Sequence, residues 1–214
     1  MAKDITFYTH PFSRGRIVRW MLEEIGKPYD TEIMDFADLK LPSYLAINPM
    51  GKVPAIRHKD TIVTEAAAIC AFLADAYPQA GLAPPAGSAL RGPYYRWMFF
   101  GAGPVEQAAS IQALGWEVPP DRRGMIGCGS MRDVMHALEG ALGSSEYLAG
   151  PAFTAADLYV GSQLGWGMMT GTIEKRPVFE TYVARLRERP AAKRANAIDE
   201  ELGARLSAKS KGAG

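Results

Sequence analysis

The most informative stretch of this 214-residue sequence is residues 48–56, which read NPMGKVPAI. A proline near the start of a strand removes one ladder donor and often marks a turn. A cis bond between Val53 and Pro54 would turn the Val53 backbone outward, where it could pair with a peptide-like ligand. The stretch by itself therefore indicates either a ligand-facing turn or an ordinary edge-strand proline.

Patterns on both sides of this stretch predict an α/β domain. Residues 5–8 and 29–34 favour strands on either side of an amphipathic helix. Two short β-branched runs, 53–58 and 61–64, are typical of a hairpin, and residues 65–77 have helical periodicity. The first part of the chain therefore predicts the order β-α-β-β-β-α.

The rest of the sequence has a helical pattern. Residues 81–93 are rich in Ala, Gly and Pro and are typical of an interdomain linker. Apolar periodicity then predicts four helices, at residues 94–114, 129–142, 154–169 and 176–187. A looser tail follows from residue 190. We therefore predict a domain of residues 1–80, a linker of residues 81–93 and an all-helical domain of residues 94–214.

Composition argues against several classes of function. The 24 basic and 23 acidic side chains nearly cancel without forming blocks, so we expect no nucleic-acid partner. Apolar runs stay below the roughly 18 residues of a membrane span, and no signal-peptide core is seen, so we expect no membrane partner and a cytoplasmic location. The cysteines Cys70 and Cys128 and the three scattered histidines show no metal-ligand spacing. We expect no bound metal and two cysteines packed as small apolar residues.

A candidate anion site follows the predicted hairpin directly. Thr64, Glu65 and Ala66 open a helix, and the unpaired amides of a helix N-terminus attract anions. An α-carboxylate could bind these amides while the Glu65 carboxylate meets a neighbouring ammonium group. This arrangement fits one end of an amino acid. The alternative is that Glu65 only complements the helix dipole, which contributes about 0.3 to 1 kcal/mol.

The element order, the NPMGKVPAI stretch and the acidic residue at the next helix start strongly resemble the glutathione transferase superfamily, over nearly the whole chain. The resemblance implies an N-terminal thioredoxin-like domain (βαβ-ββα, with a mixed four-stranded sheet) and a C-terminal helical bundle. It also implies a cis Val53–Pro54 bond, pairing of Val53 with the cysteinyl part of glutathione, and binding of the γ-glutamyl end by Glu65 and Ala66. Lys52 matches a position that contacts the glycine carboxylate in some classes, or is a solvated surface charge.

One residue departs from the family pattern, because Ala66 stands where the family usually has a serine. The backbone amide is kept, but a lost hydrogen bond to a charged group typically costs about 1.5 to 3 kcal/mol. We therefore expect weaker glutathione binding unless Thr64 or a water substitutes.

The resemblance also implies that a side chain near the start of the first helix stabilises the glutathione thiolate, the form that attacks electrophiles. Alignment of residues 14–16 with the family's first-helix start places Ser13 at the hydroxyl position of the serine-type classes. Judged from its position alone, without the family resemblance, Ser13 is predicted to be a helix N-cap. Tyr8 is the second candidate, displaced by two residues from the tyrosine position of other classes. The absence of cysteine from residues 8–15 argues against mixed-disulfide chemistry.

The second half of the chain contains a structural motif and a candidate substrate surface. Residues 153–158, FTAADL, predict a capping box with a hydrophobic staple and match the family's core-helix start. The resemblance implies that aromatic side chains of the helical domain line an apolar site for the electrophile, and the candidates are Tyr95, Phe99, Trp116 and Trp166.

These observations together predict a cytoplasmic, homodimeric glutathione transferase that uses glutathione as co-substrate and conjugates its thiolate to hydrophobic electrophiles. One alternative is a noncatalytic glutathione-binding, ligand-binding or stress-response protein, which Ala66 favours. Another is a glutathione-dependent isomerase or dehalogenase, although the serine- and cysteine-rich turn of the isomerase class is missing.

Overall fold

A mixed four-stranded sheet organises the N-terminal region of the computed structural model, which describes residues 3–212. Its strands are β1 (Ile5–Thr9), β2 (Asp30–Ile33), β3 (Ala55–His58) and β4 (Thr61–Thr64). The spatial order is β2-β1-β3-β4, with β1 parallel to β2 and antiparallel to β3, and with β3 and β4 forming a hairpin. The predicted mixed sheet and hairpin are confirmed.

Three helices accompany the sheet in this part of the chain: α1 (Gly15–Ile25), the short α2 (Pro42–Leu45) and α3 (Ala66–Ala76). α1 ends at Gly26, which adopts a left-handed conformation (φ 65°) and donates its N–H to the Leu22 carbonyl. The helices α1 and α3 pack on each other, and their buried side chains include Ile17, Val18, Met21, Leu22, Ile69, Cys70 and Leu73. Cys70 and Cys128 are both buried free thiols, as the sequence predicted.

The last helix, α9 (Pro190–Gly212), packs against α1 and belongs to the same unit as the sheet. Of the described residues, 3–80 and 189–212 form this first unit. The sequence analysis instead placed a loose tail at the end of a helical domain of residues 94–214. The difference arises because the inner face of α9 presents small and charged residues, which apolar periodicity does not detect.

The second unit, Gly81–Glu188, is helical. Its helices are α4 (Arg91–Phe100), α5 (Glu106–Ala113), α6 (Met131–Ser144), α7 (Ala155–Thr170) and α8 (Pro177–Arg187). The helix predicted over residues 94–114 begins earlier, inside the predicted linker, and is divided by a π-helical turn at Gly101–Val105. Pro104 lies in this turn and cannot donate a backbone hydrogen bond, which accounts for the interruption.

The start of α7 carries the predicted capping box, which is confirmed. The Thr154 side chain accepts from the Ala156 N–H, and the Asp157 carboxylate accepts from the Thr154 N–H at 2.9 Å. Asp157 also accepts from the Leu148 N–H and the Tyr182 hydroxyl, both at 2.8 Å. Burial raises the pKa of the Asp157 carboxyl, and these hydrogen bonds oppose the increase. The box is therefore a buried structural joint.

Within residues 3–212, no helix combines the length and apolar character that a membrane crossing requires. The same residues contain no group of three or more His, Cys, Asp or Glu side chains arranged to hold a metal ion.

Candidate functional site

The candidate site begins where residues 48–56 lead into β3. The peptide bond between Val53 and Pro54 is cis, as the family resemblance implies. Val53 is half-buried, and among the hydrogen bonds of residues 3–212 none uses its peptide N–H or C=O. One backbone donor and one acceptor are thus open to a peptide-like partner at this point.

The peptide before Val53 is fixed by two side chains. Asn48 is 2% exposed, accepts from the Met50 N–H at 3.0 Å and donates to the Lys52 carbonyl at 2.8 Å. The Tyr44 hydroxyl donates to the same carbonyl at 2.8 Å. The sequence analysis did not assign these roles to Asn48 and Tyr44. The Asn-Pro pair is a turn signal that could have indicated the first of them.

A glycine is required in the middle of this loop. Gly51 has a φ of +59°, and a Cβ there would lie 2.5 Å from the Leu39 carbonyl oxygen and 2.8 Å from the Lys40 side chain. Lys40 Nζ also donates to the Met50 carbonyl at 2.7 Å. The loop is therefore closely packed against the turn at Phe36–Lys40.

Glu65 occupies a strained position between β4 and α3. Its φ of 67° and ψ of 119° are unusual for a residue with a side chain, and such conformations cost about 1 to 3 kcal/mol. Its exposed carboxylate makes no capping hydrogen bond, and it has no partner among residues 3–212. The first helical hydrogen bond runs from the Ile69 N–H to the Glu65 carbonyl, so the Ala66 and Ala67 amides have no helical acceptor. Strain and an open helix end coincide at this position.

The sheet register brings the candidate segments to one edge. Ala55 pairs with Thr64 in the hairpin and with Tyr8 in β1. The start of β3, the end of β4 and the end of β1 therefore meet at the same edge of the sheet. Glu65 follows the second of these ends, and the turn that carries Ser13 follows the third.

Ser13 is half-buried in the turn before α1. Its hydroxyl donates to the His10 carbonyl at 2.7 Å and accepts from the Gly15 N–H at 3.0 Å. Ser13 therefore caps the first helical amide, and the hydrogen of the Ser13 hydroxyl is engaged by the His10 carbonyl. Donation to another acceptor requires rotation of the hydroxyl away from His10.

Gly15 allows α1 to start close to the end of β1. A Cβ at Gly15 would collide with Thr9 Oγ1 and would lie 3.0 Å from Ser13 Oγ. Thr9 is fully buried, and its Oγ1 has no hydrogen-bond partner among the described residues. The position of Ser13 thus depends on the absence of a side chain two residues later.

Tyr8 lies in the core of the first unit. It is 7% exposed and packs with Leu39, Tyr44 and Ala55. Its ring meets the Tyr44 ring edge to face, with centroids 6.2 Å apart. Burial and, to a smaller extent, the nearby Tyr8 raise the pKa of Tyr44 to about 12. The packing of Tyr8 makes it the weaker of the two thiolate candidates.

His10 stabilises the same turn as Ser13. Its Nδ1 accepts from the Phe12 N–H at 3.2 Å, which assigns the ring hydrogen of the neutral form to Nε2. Its ring centroid lies 4.0 Å from that of Phe36. Burial lowers the pKa of His10, and the Asp35 carboxylate partly opposes this effect. The turn is therefore built on a neutral imidazole.

The remaining predicted residues are exposed. Lys52 is exposed, and its side chain makes no hydrogen bond or ion pair with the described residues. The four aromatic candidates belong to the second unit, with exposures of 43% for Tyr95, 73% for Phe99, 65% for Trp116 and 57% for Trp166. Tyr95 and Phe99 lie one turn apart on α4. All four are accessible to an apolar ligand.

Comparison with known proteins finds glutathione transferases by family model, by sequence and by structure. The family model for the glutathione S-transferase N-terminal domain matches residues 11–76. The chain is 27% identical over 174 residues to glutathione S-transferase GstA of Escherichia coli O157:H7, covering 79% of this chain and 86% of that protein. It is also 27% identical over 213 residues to glutathione S-transferase A of Pleuronectes platessa, covering 90% and 91%.

Solved structures show the similarity in the fold of about nine-tenths of the chain. A glutathione transferase from Methylococcus capsulatus matches with a TM-score of 0.77 at 27% identity, covering 92% of this chain and 98% of that one. A sphingomonad glutathione S-transferase complexed with glutathione matches with a TM-score of 0.74 at 26% identity, covering 91% and 98%.

Proposed function

We propose that this chain is a glutathione transferase that joins the glutathione sulfur to hydrophobic electrophiles, since the matching family model, relatives and solved structures described above are all glutathione transferases. The observation that carries this proposal is the meeting of three features at one sheet edge. They are the open peptide groups of Val53, the strained Glu65 at an uncapped helix end, and the turn of residues 10–14 before α1, called the Ser13 turn below. The glutathione held by the sphingomonad relative supports the same ligand for this site.

The chemistry of glutathione fits these features part by part. The γ-glutamyl group carries an ammonium for the Glu65 carboxylate and a carboxylate for the Ala66 amide. The cysteinyl peptide carries one donor and one acceptor for the Val53 backbone. The Lys52 ammonium is free to meet the glycine carboxylate at the far end of the tripeptide.

Ser13 is the proposed thiolate donor. The Ser13 hydroxyl donates to the uncharged carbonyl of His10, so its rotation toward sulfur exchanges a neutral acceptor for a charged one. Hydrogen bonds to charged acceptors are about twice as strong as neutral ones. The thiol proton leaves to solvent, the sulfur then forms a bond to the electrophilic carbon, and any leaving group departs with its electron pair. The nearby N-terminus of α1 also favours negative charge on sulfur.

A noncatalytic glutathione-binding role is the second candidate. Ala66 replaces the hydroxyl that the family pattern places on the glutamyl carboxylate, and the Ser13 hydroxyl is engaged by a carbonyl. The glutathione-dependent isomerase and dehalogenase readings have no comparable support, because the relatives described above are named glutathione S-transferases.

The assembly and location of the protein belong to the same proposal. We propose a homodimer that acts in the cytoplasm and takes a small hydrophobic electrophile as its second substrate. Light scattering coupled to gel filtration tests this part, and a monomer at micromolar concentration would contradict it.

Turnover of a simple electrophile tests the function. Purified protein is assayed with glutathione and 1-chloro-2,4-dinitrobenzene, beside Ser13→Ala and the control Ser43→Ala, which removes an exposed hydroxyl from α2. We expect wild-type and control turnover to be equal, and Ser13→Ala to lose about 100-fold in kcat. Unchanged turnover in Ser13→Ala would remove this serine from the mechanism. Glutathione binding without turnover in the wild type would favour the noncatalytic role.

A further inference from the structure

One face of α9 lies against the Ser13 turn. Asn196, Asp199 and Gly203 are spaced i, i+3 and i+7, which places them on the same face of the helix. This face is turned toward α1 and toward the residues that precede it. A segment more than 180 residues later in the chain is thus in contact with the proposed catalytic turn.

Asn196 reaches the turn through Arg16. The Arg16 Nη2 donates to Asn196 Oδ1, while its Nη1 lies 3.5 Å from the Pro11 carbonyl oxygen, at the long limit of a hydrogen bond. The Arg16 peptide N–H also donates to the Ser13 carbonyl at 3.2 Å. The guanidinium therefore bridges α9 and the backbone of the turn.

Phe12 provides a second contact between the turn and α9. A Cβ at Gly203 would lie 3.0 Å from Phe12 Cε1 and 3.1 Å from Phe12 Cζ, so the ring edge packs directly on the Gly203 backbone. A side chain at position 203 would require the Phe12 ring to shift by a few tenths of an ångström. The two contacts are made by Phe12 and Arg16, which lie on either side of Ser13 in the sequence, and they restrict movement of the turn.

A buried ion pair fixes α9 between these two contacts. Arg19 Nε donates to Asp199 Oδ1 at 2.7 Å, and each side chain is 1% exposed. Burial raises the pKa of Asp199, and the charges of Arg19 and then Arg16 lower it. Arg16 is thus attracted to α9 by the Asp199 charge as well as by the Asn196 amide.

We propose that Asn196 is a positioning residue, which acts through Arg16 to hold the Ser13 turn in the geometry that presents its hydroxyl to sulfur. The proposal rests on the proposed transferase function. Asn196 itself lies on α9, and among the described residues its side-chain hydrogen bonds go to Arg16 and Glu200. It therefore does not bond the Val53 backbone or the Ala66 amide, which are assigned to glutathione. Its loss is expected to loosen the turn and to weaken thiolate stabilisation, while leaving the Glu65 end of the binding site intact.

The test compares three variants of the full chain. Asn196→Ala removes the acceptor, Asn196→Asp keeps an acceptor oxygen for Arg16, and Arg205→Ala is the control. Among residues 3–212, Arg205 pairs with Glu201 alone, on the exposed part of α9, so its removal changes the helix but not the turn. Each variant is studied by hydrogen exchange over residues 10–16, by ultraviolet titration of the bound glutathione thiol, and by steady-state kinetics.

In Asn196→Ala we expect exchange in the turn to be about tenfold faster, because a hydrogen bond to a charged group is lost. The bound thiol should titrate at a higher pH, and kcat should fall about three- to tenfold with the KM for glutathione changed less than about twofold. Asn196→Asp and Arg205→Ala should retain wild-type behaviour within about twofold in each measurement.

Wild-type exchange and an unchanged thiol titration in Asn196→Ala would overturn the proposal. Equal effects in Asn196→Ala and Asn196→Asp would also overturn it, since the acceptor would then be irrelevant. If the wild type shows no glutathione thiolate, the transferase function fails, and the exchange measurement still decides whether Asn196 holds the turn.

Discussion

Two helix starts in this protein have opposite designs. At the N-terminus of α7, the Thr154 and Asp157 side chains satisfy the backbone groups, and the whole joint is buried. At the N-terminus of α3, Glu65 adopts a positive φ, makes no cap, and leaves its carboxylate and the following amides open. A satisfied helix end contributes stability, whereas an unsatisfied and strained end is available to a ligand.

The largest expected effect comes from breaking the satisfied end. Asp157→Ala leaves the Leu148 N–H, the Thr154 N–H and the Tyr182 hydroxyl buried without an acceptor. We expect the free energy of unfolding to fall by about 3 kcal/mol or more, measured by chemical denaturation.

Asp133→Ala is the matched control for this change, because Asp133 is an exposed acid in the first turn of α6. Its removal should cost less than about 1 kcal/mol. Similar losses in the two variants would show that the buried joint has no special importance.

A gain of function is expected at the unsatisfied end. Ala66→Ser restores the hydroxyl of the family pattern at the first position of α3, so one more hydrogen bond to the glutamyl carboxylate becomes available. We expect glutathione affinity to rise about tenfold in a calorimetric titration, because such a bond contributes about 1.5 kcal/mol.

Ala68→Ser, at an exposed position of the same helix, should leave the affinity unchanged and serves as the control. If both serines or neither of them strengthened binding, the assignment of the Ala66 amide to the ligand would be wrong.

The smallest expected effect concerns the start of α1, whose preceding turn depends on neutral His10. Burial lowers the pKa of His10 in the folded protein, so the unfolded chain binds this proton more readily. The stability that it contributes is fully present above the unfolded pKa of about 6.5 and declines as the pH falls through that value toward the folded pKa.

Denaturation curves between about pH 7.5 and 5.5 test this dependence. His10→Asn keeps an acceptor for the Phe12 N–H but cannot titrate, so its stability should fall less on acidification than that of the wild type. His136→Asn changes an exposed histidine and should follow the wild type. Identical curves for wild type and His10→Asn would contradict the assignment.

Features coded by local sequence could be predicted, as the β3–β4 hairpin and the capping box at Thr154 illustrate. Both depend on residues a few positions apart, whose side-chain preferences act independently of the rest of the chain. The role of α9 could not be predicted, because the Arg19–Asp199 pair joins residues 180 positions apart and a buried charge looks like a surface charge in the sequence.

The candidate site was predictable in composition but not in geometry. The motif indicated Val53, Pro54 and Glu65, whose roles toward glutathione stay predictions. The positive φ of Glu65 and the fixing of the Lys52 carbonyl by Asn48 and Tyr44 are properties of packed backbone. No local pattern in the sequence specifies them.

The central claim is that the strained, uncapped start of α3 is a binding site and not a stabilising one. Glu65→Gly tests it most directly, because glycine adopts a positive φ without strain and removes the carboxylate. The exposed Asp60→Ala serves as control. Glutathione titration calorimetry and chemical denaturation are carried out on the wild type and both variants.

The account predicts that Glu65→Gly binds glutathione at least about tenfold more weakly while its free energy of unfolding is unchanged or up to about 1 kcal/mol higher. Asp60→Ala should bind as the wild type does. Wild-type affinity in Glu65→Gly, or no detectable heat from the wild type at millimolar glutathione, would contradict the account.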